Sequence, residues 1–343
     1  MEALLADSRR IIARGSKSFA LAARLFDRQT RDRALLLYAW CRHCDDVIDG
    51  QTLGSAPEQP DPAAQAARLQ TLYDRTRAAL AGEPQSDPAF QSFQRVAREC
   101  DIPARYPLEL LDGFAMDVHG ARYRQFEDTV RYCYHVAGTV GAMMARIMGV
   151  EDRATVLRGI HLGIGFQLSN IARDVLDDAA LGRVYLPEAW LEAEEVEPTP
   201  AGILAGREGV VRVTHRLLDE AGPYYASARQ GIERLPFRSA WAVETAARVY
   251  GEIGQVVRAS GTSAWRSRAR VSGSRKLGLL ALAGAGVARG RVRPRDQEPV
   301  DLSALWDPAA AEAGRYASKR CPRDSRSRMR RRRRSIGGAS RKP

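Results

Sequence analysis

No stretch of this 343-residue sequence is apolar for long enough to cross a bilayer. The longest uncharged apolar run, Leu277–Ala288, is twelve residues and ends at Arg289, whereas a spanning helix needs about 20. A transmembrane helix is thereby excluded, while contact with a membrane surface is not. Cysteine is scarce: Cys41, Cys44, Cys100, Cys133 and Cys321 are an odd number in a chain without a signal peptide, which argues for a reducing cytoplasm. Cys41 and Cys44 have the spacing of half a zinc site, but no second pair follows, so they read as packed thiols. Strand-like alternation is never sustained long enough for a sheet, and no short repeat recurs. Gly163-Ile-Gly165 follows no strand and is therefore not a dinucleotide fingerprint.

Charge is just as unevenly placed. The formal excess of +12 resembles a nucleic-acid signal until it is located: residues 315–343 hold 13 Lys or Arg and one Asp, so the remainder is formally neutral. The polyarginine run Arg330–Arg334 sits among Ser, Gly and Pro and reads as a disordered, solvated tail. Loose attraction to anionic lipid or nucleic acid is its other reading. The expected organisation is one domain over 1–293, a linker over 294–314 and a basic tail over 315–343.

What is present is helical periodicity over a 45% hydrophobic composition, enough for a sizeable core. Helices are expected over 1–14, 30–49, 63–81, 88–100, 107–119, 126–148, 151–178, 210–231, 239–261 and 276–288, with a short one opening at Pro187. A loop rich in Gly, Pro and Gln follows Gly50. Gly138, Gly141 and Ala142 crowd the 126–148 segment. Each helical Gly costs about 1 kcal/mol relative to Ala, so something needs room there, either a packed helix or a channel.

Two acidic rows stand out from this scaffold. In Gln167–Asp178, the residues Asn170, Asp174 and Asp178 follow at i, i+4 steps and share one helix face; in Tyr38–Asp49, Asp45 and Asp49 do the same. Leu35, Leu36, Leu37 and Trp40 before the first row, and Ile164, Phe166, Leu168 and Ile171 around the second, are too apolar for water-facing surfaces. Aligned carboxylates in such settings repel unless cations join them. Mg²⁺ takes one or two carboxylates and completes its shell with water and phosphate oxygens, so the rows point to a phosphorylated substrate held between them.

The chain resembles the squalene and phytoene synthase group. The resemblance rests on Ser16-Lys-Ser-Phe19, on Tyr38–Asp49, on Tyr132–Gly141 and on Gln167–Asp178 continued by Gly182-Arg-Val-Tyr-Leu-Pro187, in order from about Ser16 to about Arg293. It implies an all-α, isoprenoid-synthase-type helical bundle around a deep central cavity. It implies Mg²⁺ or Mn²⁺ bridged by Asp45, Asp49, Asn170, Asp174 and Asp178, with Asp46 and Asp177 in support. Ser16, Lys17 and Ser18 would lie against the diphosphate, Phe19 against the prenyl chain, and Arg42 and Arg173 would add donors to the leaving group. Val136, Ala137 and Gly141 would wall the channel, with Phe166 and Gln167 beside it, Tyr132 facing the reaction centre, and Arg183 and Tyr185 at its edge.

The implied reaction couples two geranylgeranyl diphosphates head to head through prephytoene diphosphate to phytoene. Aromatic faces can stabilise an allylic cation without attacking it. Tyr38, Tyr132 or Tyr250 could assist proton movements, and so could the departing diphosphate. Loss of a proton rather than hydride capture requires no nicotinamide, and the stimulation by ATP reported for the family leaves no signature in the sequence. A sister enzyme using farnesyl diphosphate would carry the same acids and differ in channel depth. A non-catalytic nucleic-acid-binding protein using the tail is the alternative of another class, disfavoured by the intact acid rows. The partners implied are the prenyl diphosphate, a membrane surface and neighbouring carotenoid enzymes, with no specific nucleic acid, in a cytoplasmic protein placed peripherally at the inner face of the membrane.

Overall fold

The computed structural model describes residues 2–15, 17–50, 61–266, 268–292 and 305–308. Two helices, α1 (Glu2–Gly15) and α2 (Lys17–Ala23), precede α3 (Arg28–Ile48), which starts where Asp27 accepts from the Thr30 amide. Asp61 and Asp87 cap α4 (Pro62–Leu80) and α5 (Pro88–Glu99) in the same way, each followed by a proline at the first helical position. Proline is tolerated there because that N–H has no partner within the helix. Next comes α6 (Arg105–Val118). The loop expected after Gly50 lies outside the described residues, as does the expected tail; of the expected linker only 305–308 is described.

The segment 126–148, expected as one helix, is three pieces. It runs as α7 (Phe126–Cys133), a π turn at Tyr134–Gly138 and α8 (Thr139–Ile147). The cause lies in α6. His135 Nδ1 bonds the Glu109 carbonyl at 2.9 Å, and the Tyr134 hydroxyl donates to the Glu109 carboxylate. A Cβ at Gly113 would stand 2.6 Å from the Val136 side chain. The backbone is thus drawn onto α6, and one extra residue per turn absorbs the displacement, a device common at functional sites.

Helix α9 (Arg153–Ala180), capped by Asp152 through Ala154 and Thr155, occupies the centre. After α10 (Glu188–Ala193) and α11 (Pro200–Ala205), the long helices α12 (Arg207–Ile232), α13 (Phe237–Ser260) and α14 (Gly273–Val292) complete the set. The short α11 has no counterpart among the expected helices. The central α9 packs against α7, the π turn, α8, α11, α12 and α13, while α3 packs on α1 and α5. No strand forms among the described residues, and none of their helices is long and apolar enough to cross a membrane. The described residues within 1–305 form one compact unit.

Packing decides where the acids go. Leu36, Leu37 and Trp40 on α3 are almost completely buried, Trp40 stacking on Phe93 of α5 at 4.2 Å. Each such side chain contributes about 2 kcal/mol. A like-charge pair at i, i+4 costs only about 0.2–0.5 kcal/mol on an open helix, so burial of the apolar half of α3 fixes Asp45 and Asp49 despite their repulsion.

The glycines of α8 and α9 serve as contact points between backbones: a Cβ at Gly141 would lie 2.1 Å from the Gly159 carbonyl oxygen, and one at Gly163 would lie 2.2 Å from that of Ala137. Backbone cannot yield as a side chain can. Gly163→Ala is therefore expected to cost about 2–3 kcal/mol in urea unfolding. On α14 a Cβ at Gly278 meets nothing within 4 Å, and Gly278→Ala is expected to stabilise by about 0.5–1 kcal/mol. Equal midpoints for the two variants would contradict this packing.

Candidate active site

Helices α2, α3, α8, α9, α12 and α13 and the π turn enclose an elongated cavity of about 360 Å³. Of the residues singled out in the sequence, Phe19, Tyr38, Val136, Ala137, Gly141, Phe166, Gln167, Asn170 and Tyr250 line it. Phe19 stacks on Tyr38 at 5.4 Å, and Phe166 on Tyr250 at 4.2 Å. The π turn delivers Val136 and Ala137 to the wall. Gly141 therefore fits both earlier readings, since it contacts α9 backbone and faces the cavity. Burial raises the Tyr38 hydroxyl to about 12, so it stays protonated at neutral pH.

Polar residues begin at one end of this cavity. Cys41 and Asn170 line it, and one turn further along the same helices stand Asp45 and Asp174. The four described cysteines, Cys41, Cys44, Cys100 and Cys133, are free thiols. Arg42 pairs with Asp45 at 3.1 Å and with Asp46 at 2.6 Å. Asp174 is gripped by Arg173, whose Nε donates at 2.8 Å, and by both prongs of Arg268 at 3.0 and 2.8 Å. Burial opposes the Asp174 charge, but these two guanidinium groups outweigh it and lower the pKa.

Arg183 joins the two rows. The chain leaves α9 through Gly182 in the left-handed region, at φ +80°, and the Arg183 amide then donates to the Asp178 carbonyl at 2.9 Å. That turn aims the guanidinium at α3, where it donates to Asp49 at 2.7 Å. Burial works against its charge, yet Tyr185, Asp117 and Asp49 hold it protonated. Burial first and the Asp174 charge second push Asp178 up to about 7, partly relieved by Arg183. Burial and Asp49 push Asp45 up to about 6. Because 45% of the Asp45 side-chain surface reaches solvent, screening discounts that shift.

Two participants escaped the sequence reading. Asp117, at the end of α6, accepts from the Tyr132 hydroxyl at 3.0 Å and the Tyr185 hydroxyl at 2.9 Å, and burial lifts it to about 6. Tyr132, expected at the reaction centre, is not on the cavity wall; it stacks on Tyr185 at 4.5 Å and faces Asp117. Arg268 belongs to a run of arginines after α13; in the same segment the Trp265 indole donates to the Ala172 carbonyl of α9 at 3.1 Å. An arginine run without nearby acids was the one available signal. Ser16 lies outside the described residues, and only the backbone of Lys17 and Ser18 is described.

The mouth therefore gathers five carboxylates (Asp45, Asp49, Asp117, Asp174, Asp178) and four arginines (Arg42, Arg173, Arg183, Arg268) beside an apolar cavity. A squalene/phytoene synthase family model matches residues 12–275. The chain belongs to the squalene/phytoene synthase family. It is 50% identical over 291 residues to the 15-cis-phytoene synthase of Pantoea ananas, covering 85% of this chain and 94% of that protein. Its identity to the phytoene synthase of Pseudescherichia vulneris is also 50%, over 85% and 96%. Among solved structures, a dehydrosqualene synthase superposes with a TM-score of 0.73 at 24% identity, over 84% of this chain and 98% of that one. A squalene synthase from Alicyclobacillus acidocaldarius superposes at 0.64 with 25% identity, over 76% and 94%. The fold is thus the isoprenoid-synthase helical fold of this family.

The acid cluster sets a stability cost that can be measured. A carboxyl whose folded pKa exceeds its unfolded value binds extra proton in the folded state, so stability falls as pH rises through that window. For Asp178 the window runs from 3.8 to about 7. Asp178→Asn is expected to raise the urea midpoint of metal-free protein at about pH 8, with the gain fading by about pH 4. A gain independent of pH, or a loss at both, would contradict the placement of Asp178 among the other acids.

Proposed function

We propose that this family member is a prenyl-transferring enzyme that condenses two geranylgeranyl diphosphates head to head, through prephytoene diphosphate, to 15-cis-phytoene. Two diphosphates leave, and the reaction opens carotenoid biosynthesis. The observation that carries this reading is the 50% identity, spanning 94% of its length, to a relative whose name is 15-cis-phytoene synthase. The likeness to solved squalene and dehydrosqualene synthases supports the fold alone.

The donor set fits a hard divalent cation. Asn170 Oδ1 is buried without a hydrogen-bond partner, and Asp45 and Asp178 are carboxylates raised by burial and by their neighbours. No group of three His, Cys, Asp or Glu that could hold a metal forms among the described residues, so the fit rests on the Asn170 oxygen and on the raised carboxyls of Asp45 and Asp178. Mg²⁺ or Mn²⁺ held by Asp45, Asp49, Asn170, Asp174 and Asp178 would supply charge stabilisation to the departing diphosphate.

The chain's own residues do the rest. Arg42, Arg173, Arg183 and Arg268 are positioned to neutralise phosphate oxygens as carbon–oxygen cleavage transfers charge to them. Phe19, Tyr38, Phe166 and Tyr250 present ring faces to an allylic cation, and the apolar walls exclude water that would quench it. The last step releases a proton to the departing diphosphate, either directly or through the protonated Tyr38 hydroxyl, which would hand its own proton on as it takes the new one. No hydride is needed, hence no nicotinamide. The product is a hydrocarbon, so the reading includes a peripheral station at a membrane and exchange with neighbouring carotenoid enzymes.

Mass-spectrometric product analysis, with geranylgeranyl and farnesyl diphosphates offered separately, tests the substrate. Phytoene from the former is expected; squalene or dehydrosqualene from the latter alone would overturn the reading. Asp178→Asn, although stabilising at pH 8, is expected to lower turnover by roughly 10²-fold or more. Undiminished activity in that variant, or in a chelator, would remove the cation from the proposal.

A further inference from the structure

Helix α14 is held by one face only. Leu279 and Ala283 are buried, Leu279 among Val249, Ile253 and Val271, and the Trp241 indole donates to the Leu280 carbonyl at 2.8 Å. The opposite face carries Leu277 at 62% exposure and Leu282 at 53%, with Gly278, Ala281 and Ala285 exposed between and beyond them. A water-facing helix surface normally carries charge, and none occurs from Leu277 to Ala288. Cationic residues bracket the apolar stretch: Arg275 and Lys276 before it, Arg289 after it.

Beside this ridge lies a groove of about 540 Å³ between α12, α13 and α14, with Leu279 and Leu282 on its α14 side. Arg229, Arg248, Arg258 and Arg275 line it, against the carboxylates of Asp219 and Glu252. Arg258 pairs with Asp219 at 2.7 Å, Arg275 with Glu252 at 2.7 Å, and Arg248 with Glu244 at 2.8 Å. Arg229 is exposed and makes no ion pair among the described residues. Three of the four groove arginines are thus neutralised in place, and Arg229 offers an uncompensated guanidinium beside the apolar ridge.

We propose that α14 and this groove form a docking surface for an anionic phospholipid bilayer, with Leu277 and Leu282 entering the acyl boundary and Arg229 and its neighbours taking lipid phosphates. An apolar face at the interface combined with basic side chains at headgroup level is what peripheral binding requires. Charge selects this occupant over a second copy of the chain, because a two-fold contact would bring the exposed Arg229 and Arg289 of one copy beside those of the other, with no unpaired carboxylate of the groove to meet them. The surface is distinct from the acid-lined mouth, and the inference stands whichever prenyl diphosphate is used.

The test is co-sedimentation of the full-length protein with phosphatidylcholine vesicles, with and without phosphatidylglycerol, at low salt and at roughly 0.5 M salt, where exposed charges are largely screened. The parent protein is expected to bind the anionic vesicles best. The double variant Leu277→Glu/Leu282→Glu is expected to lose roughly tenfold or more in binding at both salt concentrations, since it removes insertion. Arg229→Glu is expected to weaken binding at low salt only. Detergent-assayed turnover, which reads the mouth and not this surface, is expected to persist in all three proteins. A double variant that binds like its parent overturns the proposal. So does light scattering that finds a parent dimer lost in the double variant with vesicle binding unchanged, which would make the face an interface between copies.

Discussion

One half-buried guanidinium ties together two helices that would otherwise repel. Arg183 reaches from the end of α9 to Asp49 at the end of α3 at 2.7 Å, with Asp117 and Asp178 close enough to interact with its charge. Without it Asp49, Asp117 and Asp178 would lose a shared counter-charge in a partly desolvated cleft, a costly arrangement. Arg42, Arg173 and Arg268 repeat the solution locally on Asp45 and Asp174. The acids are held apart and pre-aligned, leaving Asp178 and Asn170 under-satisfied. Under the proposed function, a diphosphate arriving with cations would relieve the deficits of those two residues and draw on the same arginines.

The cavity depends on the same helices from the other side. Asp45 and Asp174 stand one turn beyond Cys41 and Asn170, so the axes that present charge at the mouth continue as apolar wall inside. The backbone contacts of Gly141 with Gly159 and of Gly163 with Ala137 set how closely α8 and the π turn approach α9, and the π turn redirects Val136 and Ala137 onto the wall. Ionisation at one end and water exclusion at the other therefore share one scaffold.

Much of this was legible from the sequence, for a local reason. The i, i+4 rows at Asp45 and Asp49 and at Asn170, Asp174 and Asp178 lie within single helices, so periodicity alone puts each on one face, and apolar flanks mark them as turned inward, where the structure leaves them half-buried. Asp117 and Arg268 were not legible, because their significance comes from which distant side chains they meet: Tyr132 and Tyr185 in one case, Asp174 in the other. The π turn was hidden because its cause, contact with Glu109 and Gly113 of α6, is tertiary. In the segment Leu277–Ala288 the sequence showed a run too short to span a bilayer, but it did not show which of its leucines face outward.

Whether both acid helices hold one diphosphate is read most directly from a crystal structure of the protein with Mg²⁺ and an unreactive thio analogue of geranylgeranyl diphosphate. The expected density places the diphosphate and its ions between Asp45 and Asp49 on one side and Asn170, Asp174 and Asp178 on the other, with the prenyl chain running past Phe166 into the cavity. A diphosphate held by one acid row alone, or bound with its chain outside the cavity, would contradict it.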